Sequence, residues 1–419
     1  MEYIEPYATG AEATTRVKIR KNRGNFFYFL FILSTVIAVM FLSILLISII
    51  DDVFGWAVLV DERPLSTLVE DAESVKDLSR EQLIHLSTEH ISKGILRRIE
   101  YENPLENRSD SDLIALVEQY VIEPSVLRTW GLWDSITRKG EVEQFALEHE
   151  GAYLSFRSWI TPHFLQASQS SNPLIAGIRT AFLGSMWILL VTFLFSFPFG
   201  IGAAIYLQEY APKNRLTNIM QLNIFNLSAV PSIIYGLLGL AFFVRVLEPV
   251  TSGAVFTHIS STVANGRTIL SGGLTLGLLV LPIIIINTQE AIKAVPDSLR
   301  MSSYGVGATK WQTIWHHVLP ASFSRILTGT ILALSRALGE TAPLVVIGAS
   351  TFISVDPTGV FSKFTTLPIQ IYQWSARPQG AYRSIAAGAI IVLLVLLLLI
   401  NSSAIYMRER LNRKKRLEA

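Results

Sequence analysis

The chain is predicted to fold as an all-α polytopic membrane protein, with six transmembrane helices and a mostly helical extracytoplasmic insertion between helices 1 and 2. Three observations carry that prediction. Half of the 419 residues are hydrophobic and only 16% are charged, against about 25% in an ordinary soluble domain. Six segments are apolar over the roughly 20 residues that a helix needs to cross a hydrocarbon core of about 30 Å. The remaining charges are grouped, basic at both ends and acidic in one block.

The six segments are 26–50, 178–207, 219–247, 268–287, 323–347 and 385–407. The first and last are uniformly apolar. The middle four hold Gly, Ser, Asn and Pro, as helices do that pack on each other rather than on lipid. Pro198, Gly200 and Gly202 lie near the end of the second, and Asn223, Asn226 and Pro231 interrupt the third. The first is too long for the apolar region of a cleaved leader and lacks a small-x-small site, so a signal anchor is expected. Arg16, Lys18, Arg20, Lys21 and Arg23 precede it; Arg408, Arg410, Arg413, Lys414, Lys415 and Arg416 follow the last. Positive charge favours the cytoplasmic side. Segments 1–25 and 408–419 are therefore expected in the cytoplasm, which requires an even number of crossings. Lys213 and Arg215, then Lys293, Arg300 and Lys310, fall in the other two cytoplasmic connections.

Residues 51–172 are expected on the opposite side as an acidic domain. They hold 22 acidic and 11 basic residues, a net charge of −11. Ser79 and Gln82 have capping-box spacing ahead of Leu83, Leu86, Ile91, Ile95 and Ile99 at a helical period. Ser111 is a candidate cap for a second helix through Leu113, Leu116, Val117, Tyr120 and Val121, with Pro104 and Pro124 as breaks. Two uses stay open: a solubilised insertion packed on the membrane part, or a docking surface for an extracytoplasmic protein.

Several classes of chemistry are excluded. With no cysteine there is no disulfide, thiolate metal site or cysteine nucleophile. The seven histidines are scattered, without HExxH. A net charge of +2 gives no reason to expect a nucleic-acid partner. No GxxxxGK[ST] is present, so any ATPase must be a separate polypeptide. No cofactor is implied, and no nucleophile–base pair stands at membrane depth.

The run 288–343 is the most informative. A polar, glycine-containing stretch lies between two apolar spans, and the second span carries Arg336 and Glu340. Four residues apart, the pair is expected to share one helix face turned to the protein interior. An Arg near a span centre costs about 2.5–3.5 kcal/mol on insertion scales. Either the pair locks two helices, or Arg336 offers a planar fork of donors to an oxyanion with Glu340 holding it.

Residues 290–320 resemble the Glu-Ala-Ala loop of type I ABC-importer permeases. Gly307 takes the place of the family glycine and Leu319-Pro320 that of the final Leu-Pro; Met301, Ser302 and Ser303 replace Glu-Ala-Ala, and His317 replaces Ile. Two short helices about a glycine turn would present a knob, with Trp311, Ile314 and Trp315 as apolar anchors and Pro320 opening the next helix. An amphipathic helix lying on lipid is the alternative.

SRALGETAPL resembles more narrowly the PstA-type permease of the phosphate-specific ABC importer. Ala342-Pro343 stands where the sister PstC type has Met-Ala. NLSAVPSIIYGL, LPIIIINTQEAIKAVPDSLR and TLPIQIYQWSARP agree, and the resemblance covers roughly 156–411. It implies type I permease architecture within 173–407 and a coupling loop at 288–320. It also implies a permease subunit of an ATP-driven phosphate importer in the bacterial cytoplasmic (inner) membrane, itself not an enzyme. The implied partners are a PstC-like second permease, ABC ATPase subunits and an extracytoplasmic phosphate-binding protein, with membrane lipid around them. Arg336 and Glu340 would line the substrate pathway, and Gly307, Trp311, Ile314, Trp315, Leu319 and Pro320 would couple it to the ATPase. The rival readings are a permease for another oxyanion, such as sulfate or molybdate, and a membrane-anchored sensor with an extracytoplasmic ligand domain.

Overall fold

A computed structural model describes residues 10–63, 65–69, 75–255, 265–350 and 352–418. Residues 1–9 of the basic N-terminal segment and Ala419 lie outside the described residues.

Among the described residues, five helices are long and apolar enough to cross a membrane: Val17–Val53, Arg179–Tyr210, Ile269–Lys293, Lys310–Gly339 and Gly380–Arg410. A bent pair, Arg215–Ser228 and Ser232–Val246, is apolar enough to make a sixth if the two halves count as one span, and is bent by 103°. The expected third span, 219–247, is thus not one helix. Pro231 lacks the N–H that would continue the ladder and restricts Val230 before it, so the chain stops, turns and restarts at Ser232. Pro198 has no such effect and stays inside Arg179–Ile205.

The expected fifth span, 323–347, is also redrawn. Its helix begins at Lys310 and ends at Gly339. Glu340 is extended (φ −76°, ψ 126°). A short helix, Ala342–Ile347, follows with Pro343 in its first turn. Arg336 and Glu340 therefore do not share a helix face: Glu340 is the residue that leaves the helix.

Ile269–Lys293 is the hub. Thr268 caps it through a capping box with Ser271. The helix packs against Arg179–Ile205, Lys310–Gly339 and the bent pair, with Ile188, Leu276, Val280, Ile284, Ala333 and Ala337 in one buried cluster. Close approach is bought with glycine: a Cβ at Gly273 would lie 2.6 Å from the Val191 side chain. The first helix is the opposite case. Its apolar window has no buried residue, so lipid or another chain must solvate it. Its end is tied down, where Arg383 donates to Asp52 at 3.1 Å and the Trp133 N–H donates to Asp51 at 2.6 Å.

The insertion is part helix and part sheet. β1 (Phe54–Asp61) continues straight from the first helix and is the central strand between β2 (Pro124–Thr129) and β3 (Ala152–Ser158), all antiparallel. Trp56 faces Phe156 and Val58 faces Leu154, with a register shift at Val58/Leu59 against β2. These strands were not expected. The Phe54–Asp61 run is apolar and abuts a transmembrane helix, so its pattern merges with that of the span. The helical half has its own core of Leu83, Leu86, Leu113, Leu116, Val117 and Val121. Ser79 and Gln82 do form the expected capping box. Ser109 rather than Ser111 caps the second helix, accepting from the Asp112 N–H at 3.2 Å.

Candidate functional site

The candidate site is distributed along one helix. From Pro320 to Arg336 is 16 residues, about 24 Å at 1.5 Å per residue. At the far end Arg336 Nε lies 3.6 Å from Glu340 Oε1. The helix buries Ala333, Leu334, Ala337 and Leu338 in this chain's core. Arg336 stands with exposed Leu332 on the opposite side, 54% exposed, while Glu340 is 18% exposed. The expected inward-facing charge therefore points away from this chain's own interior. Beside it in the chain, Ala337 and Leu338 line a small cavity with Ser185, Ile188 and Leu276. Ser335 donates to Asn401 at 2.8 Å and fixes the helix to the last span.

At the near end is the knob. A helix Asp297–Gly305 is followed by Gly307 at φ +87°, whose N–H donates to the Tyr304 carbonyl at 2.9 Å. A left-handed residue here ends the first helix as glycine does at many helix termini. Thr309 then opens the second helix with a capping box to Gln312. Ser303 and Thr313 hydroxyls meet at 2.9 Å and clip the two arms together.

Trp311 and Trp315 stack with centroids 5.5 Å apart, each 55% exposed. Ile314 is fully buried. It holds the knob from within, so the apolar surface expected of three residues comes from the two tryptophans. Leu319 is half-buried and Pro320 exposed. The wide turn Ile314–Val318 lets the ladder absorb the N–H that Pro320 lacks. Met301 is exposed on the first arm.

One constellation was not foreseen. Arg300, counted above only as a positive charge, is largely buried against Glu209, with Nη2–Oε1 at 3.0 Å. Lys310 lies 5.0 Å from the centre of the Tyr210 ring. The partners are 91 residues apart in the first case, and no local spacing could reveal them.

Elsewhere, burial pushes the Tyr153 phenol in the insertion up to about 12, and the neighbouring Asp61 carboxylate, to which it donates, adds to the rise. Among the described residues no cluster of three or more His, Asp or Glu is arranged to hold a metal ion.

Residues 196–417 match the family described as binding-protein-dependent transport system inner membrane component. The chain is 30% identical over 234 residues to the probable ABC transporter permease protein YqgI of Bacillus subtilis, covering 53% of this chain and 74% of that protein. It is 33% identical over 229 residues to the phosphate transport system permease protein PstA of Yersinia pestis, covering 54% and 71%. With PstA 1 of Mycobacterium tuberculosis the identity is 31% over 243 residues, covering 58% and 72%. Among solved structures, an inward-facing MetNI methionine ABC transporter overlays with a TM-score of 0.41 at 16% identity, covering 54% of this chain and 93% of that one.

Proposed function

We infer the function from one premise: the chain belongs to the family of binding-protein-dependent transport system inner membrane components. On that premise it is the PstA-type permease subunit of an ATP-driven importer, and its cargo is inorganic phosphate. The observation that carries the reading is the open position of Arg336. A guanidinium at membrane depth that faced lipid would cost about 2.5–3.5 kcal/mol. Its half-exposed pair with Glu340 returns less than about 1 kcal/mol. The face must therefore be covered by protein and water, and a PstC-like second permease is the partner that encloses it. Between the two chains Arg336 presents parallel donors to phosphate oxygens, and Glu340 restrains it.

The remaining assignments follow. The Lys and Arg distribution supports a topology with both termini and the knob in the cytoplasm and the acidic 51–172 segment outside, in a bacterial inner membrane. There the Trp311–Trp315 face, with Gly307 shaping its approach and Leu319-Pro320 joining it to the span, docks on an ABC ATPase that burns the ATP. Ile314 supports that face from below. An extracytoplasmic binding protein delivers phosphate to the opposite end. The chain itself performs no covalent chemistry.

Phosphate uptake by the assembled complex tests this. Arg336→Ala is expected to leave assembly intact and lower uptake at least about thirtyfold, the equivalent of about 2 kcal/mol for a lost charge-assisted contact. Normal uptake would remove Arg336 from the pathway. Uptake of sulfate or molybdate by the complex, with no uptake of phosphate, would assign another oxyanion.

A further inference from the structure

We propose that Arg300 and Glu209 form the joint through which the knob drives the second span, a positioning pair for transport that contacts neither phosphate nor ATP. The proposal rests on the permease reading above.

A guanidinium has five N–H donors, and here each has an acceptor. Nε and one Nη2 proton go to Glu209 Oε1 at 3.3 and 3.0 Å. The other Nη2 proton goes to the Ile292 carbonyl at 2.9 Å. Nη1 donates to the Val295 carbonyl at 2.7 Å and to Asp297 Oδ1 at 3.1 Å. One side chain thus binds three segments: the end of the second span, the end of the hub helix, and the first knob arm. The arginine and glutamate side chains are only 13% and 8% exposed, so water does little to loosen them. Beneath them Ile205, Ile292, Val295, Leu299 and Val318 form a small apolar cluster spanning the same segments.

The second arm reaches the same corner. Lys310, on the other side of Gly307, sits over the ring of Tyr210, the residue after Glu209. Both arms of the knob therefore grip consecutive residues at the tip of one span. Stability alone is a poor reason for such a site, because a buried ion pair and a well-packed apolar substitute are often equal in free energy. The difference is directional. Apolar contacts slide, whereas five hydrogen bonds from one planar group resist displacement along fixed lines. A pull on the knob moves the second span and the hub together.

The test uses the full complex, with the second permease, ATPase and binding protein, reconstituted in lipid vesicles. The readout is phosphate moved per ATP hydrolysed. For Arg300→Met the ratio is expected to fall about tenfold, within the range by which coupling residues act, while hydrolysis and co-purification of the ATPase persist. Arg300→Lys should recover part of the ratio, because an ammonium keeps the charge but has three donors instead of five and no planar fork. A wild-type ratio in these variants, or transport and hydrolysis falling in proportion, overturns the joint. Should Arg300→Met fail to assemble, Glu209→Gln and Lys310→Met decide by the same ratio, since neither strands a buried arginine without acceptors; an unchanged ratio in both overturns it. A wild-type complex whose hydrolysis ignores phosphate-loaded binding protein would instead sink the permease reading, whatever the variants do.

Discussion

At the residue scale, magnitudes separate the charges. Arg336 and Glu340 are 3.6 Å apart and the arginine is half exposed, so their attraction is weak and leaves Arg336 free to serve a ligand. Arg300 has every donor spoken for and is built to hold. The sequence marks the first arginine, because a charge inside an apolar run stands out. It hides the second, because an arginine in a polar loop is unremarkable until its partner is known. Glycines show the same split. A Cβ at Gly184 would sit 2.1 Å from the Thr365 carbonyl oxygen, and a backbone atom cannot step aside. Gly184→Ala is expected to cost about 1–3 kcal/mol through overpacking, seen as a lower melting temperature of the detergent-solubilised complex; an unchanged melting temperature would mean that the two segments separate freely.

At the element scale, periodicity and breaks differ in legibility. Four of the six apolar runs became single long helices, whereas 219–247 is broken at Pro231 and the helix expected at 323–347 runs instead from Lys310 to Gly339. The interruptions were less readable. Pro231 breaks a span and Pro198 does not, although both stand within apolar runs of membrane length. The knob was legible from its resemblance to the family loop and from the short spacing of Gly307, Trp311 and Trp315; the capping box of Thr309 with Gln312 was seen only in the structure. Gly307 at φ +87° has nothing within 4 Å of an added Cβ, so a substitution there strains only the backbone. Gly307→Val is expected to cost about 1–2 kcal/mol in the left-handed conformation and so to tilt the second arm. Weaker retention of the ATPase in pull-downs and lower stimulated hydrolysis are the expected results; unchanged values of both would count against the knob as the coupling surface.

At the scale of the whole molecule, the proposed orientation is open to a direct check, because the chain has no cysteine of its own. Val306 is 86% exposed at the knob and Leu147 is 87% exposed in the insertion. In intact cells Leu147→Cys should react with a membrane-impermeant maleimide, and Val306→Cys only after the membrane is opened. The reverse pattern would place the knob outside, beyond the reach of any ATPase. Composition and hydropathy by themselves determined that this is a multi-helix membrane protein and where most of its apolar segments lie, because those properties follow from side chains within a turn or two of one another; the knob loop was read from its resemblance to a family loop. Only the tertiary structure decided that β1 lies between β2 and β3, that Ile314 faces inward, that Arg336 faces outward, and that Arg300 meets Glu209. Each of those depends on which distant segment fills the space beside a residue, and that is settled by packing the whole chain at once.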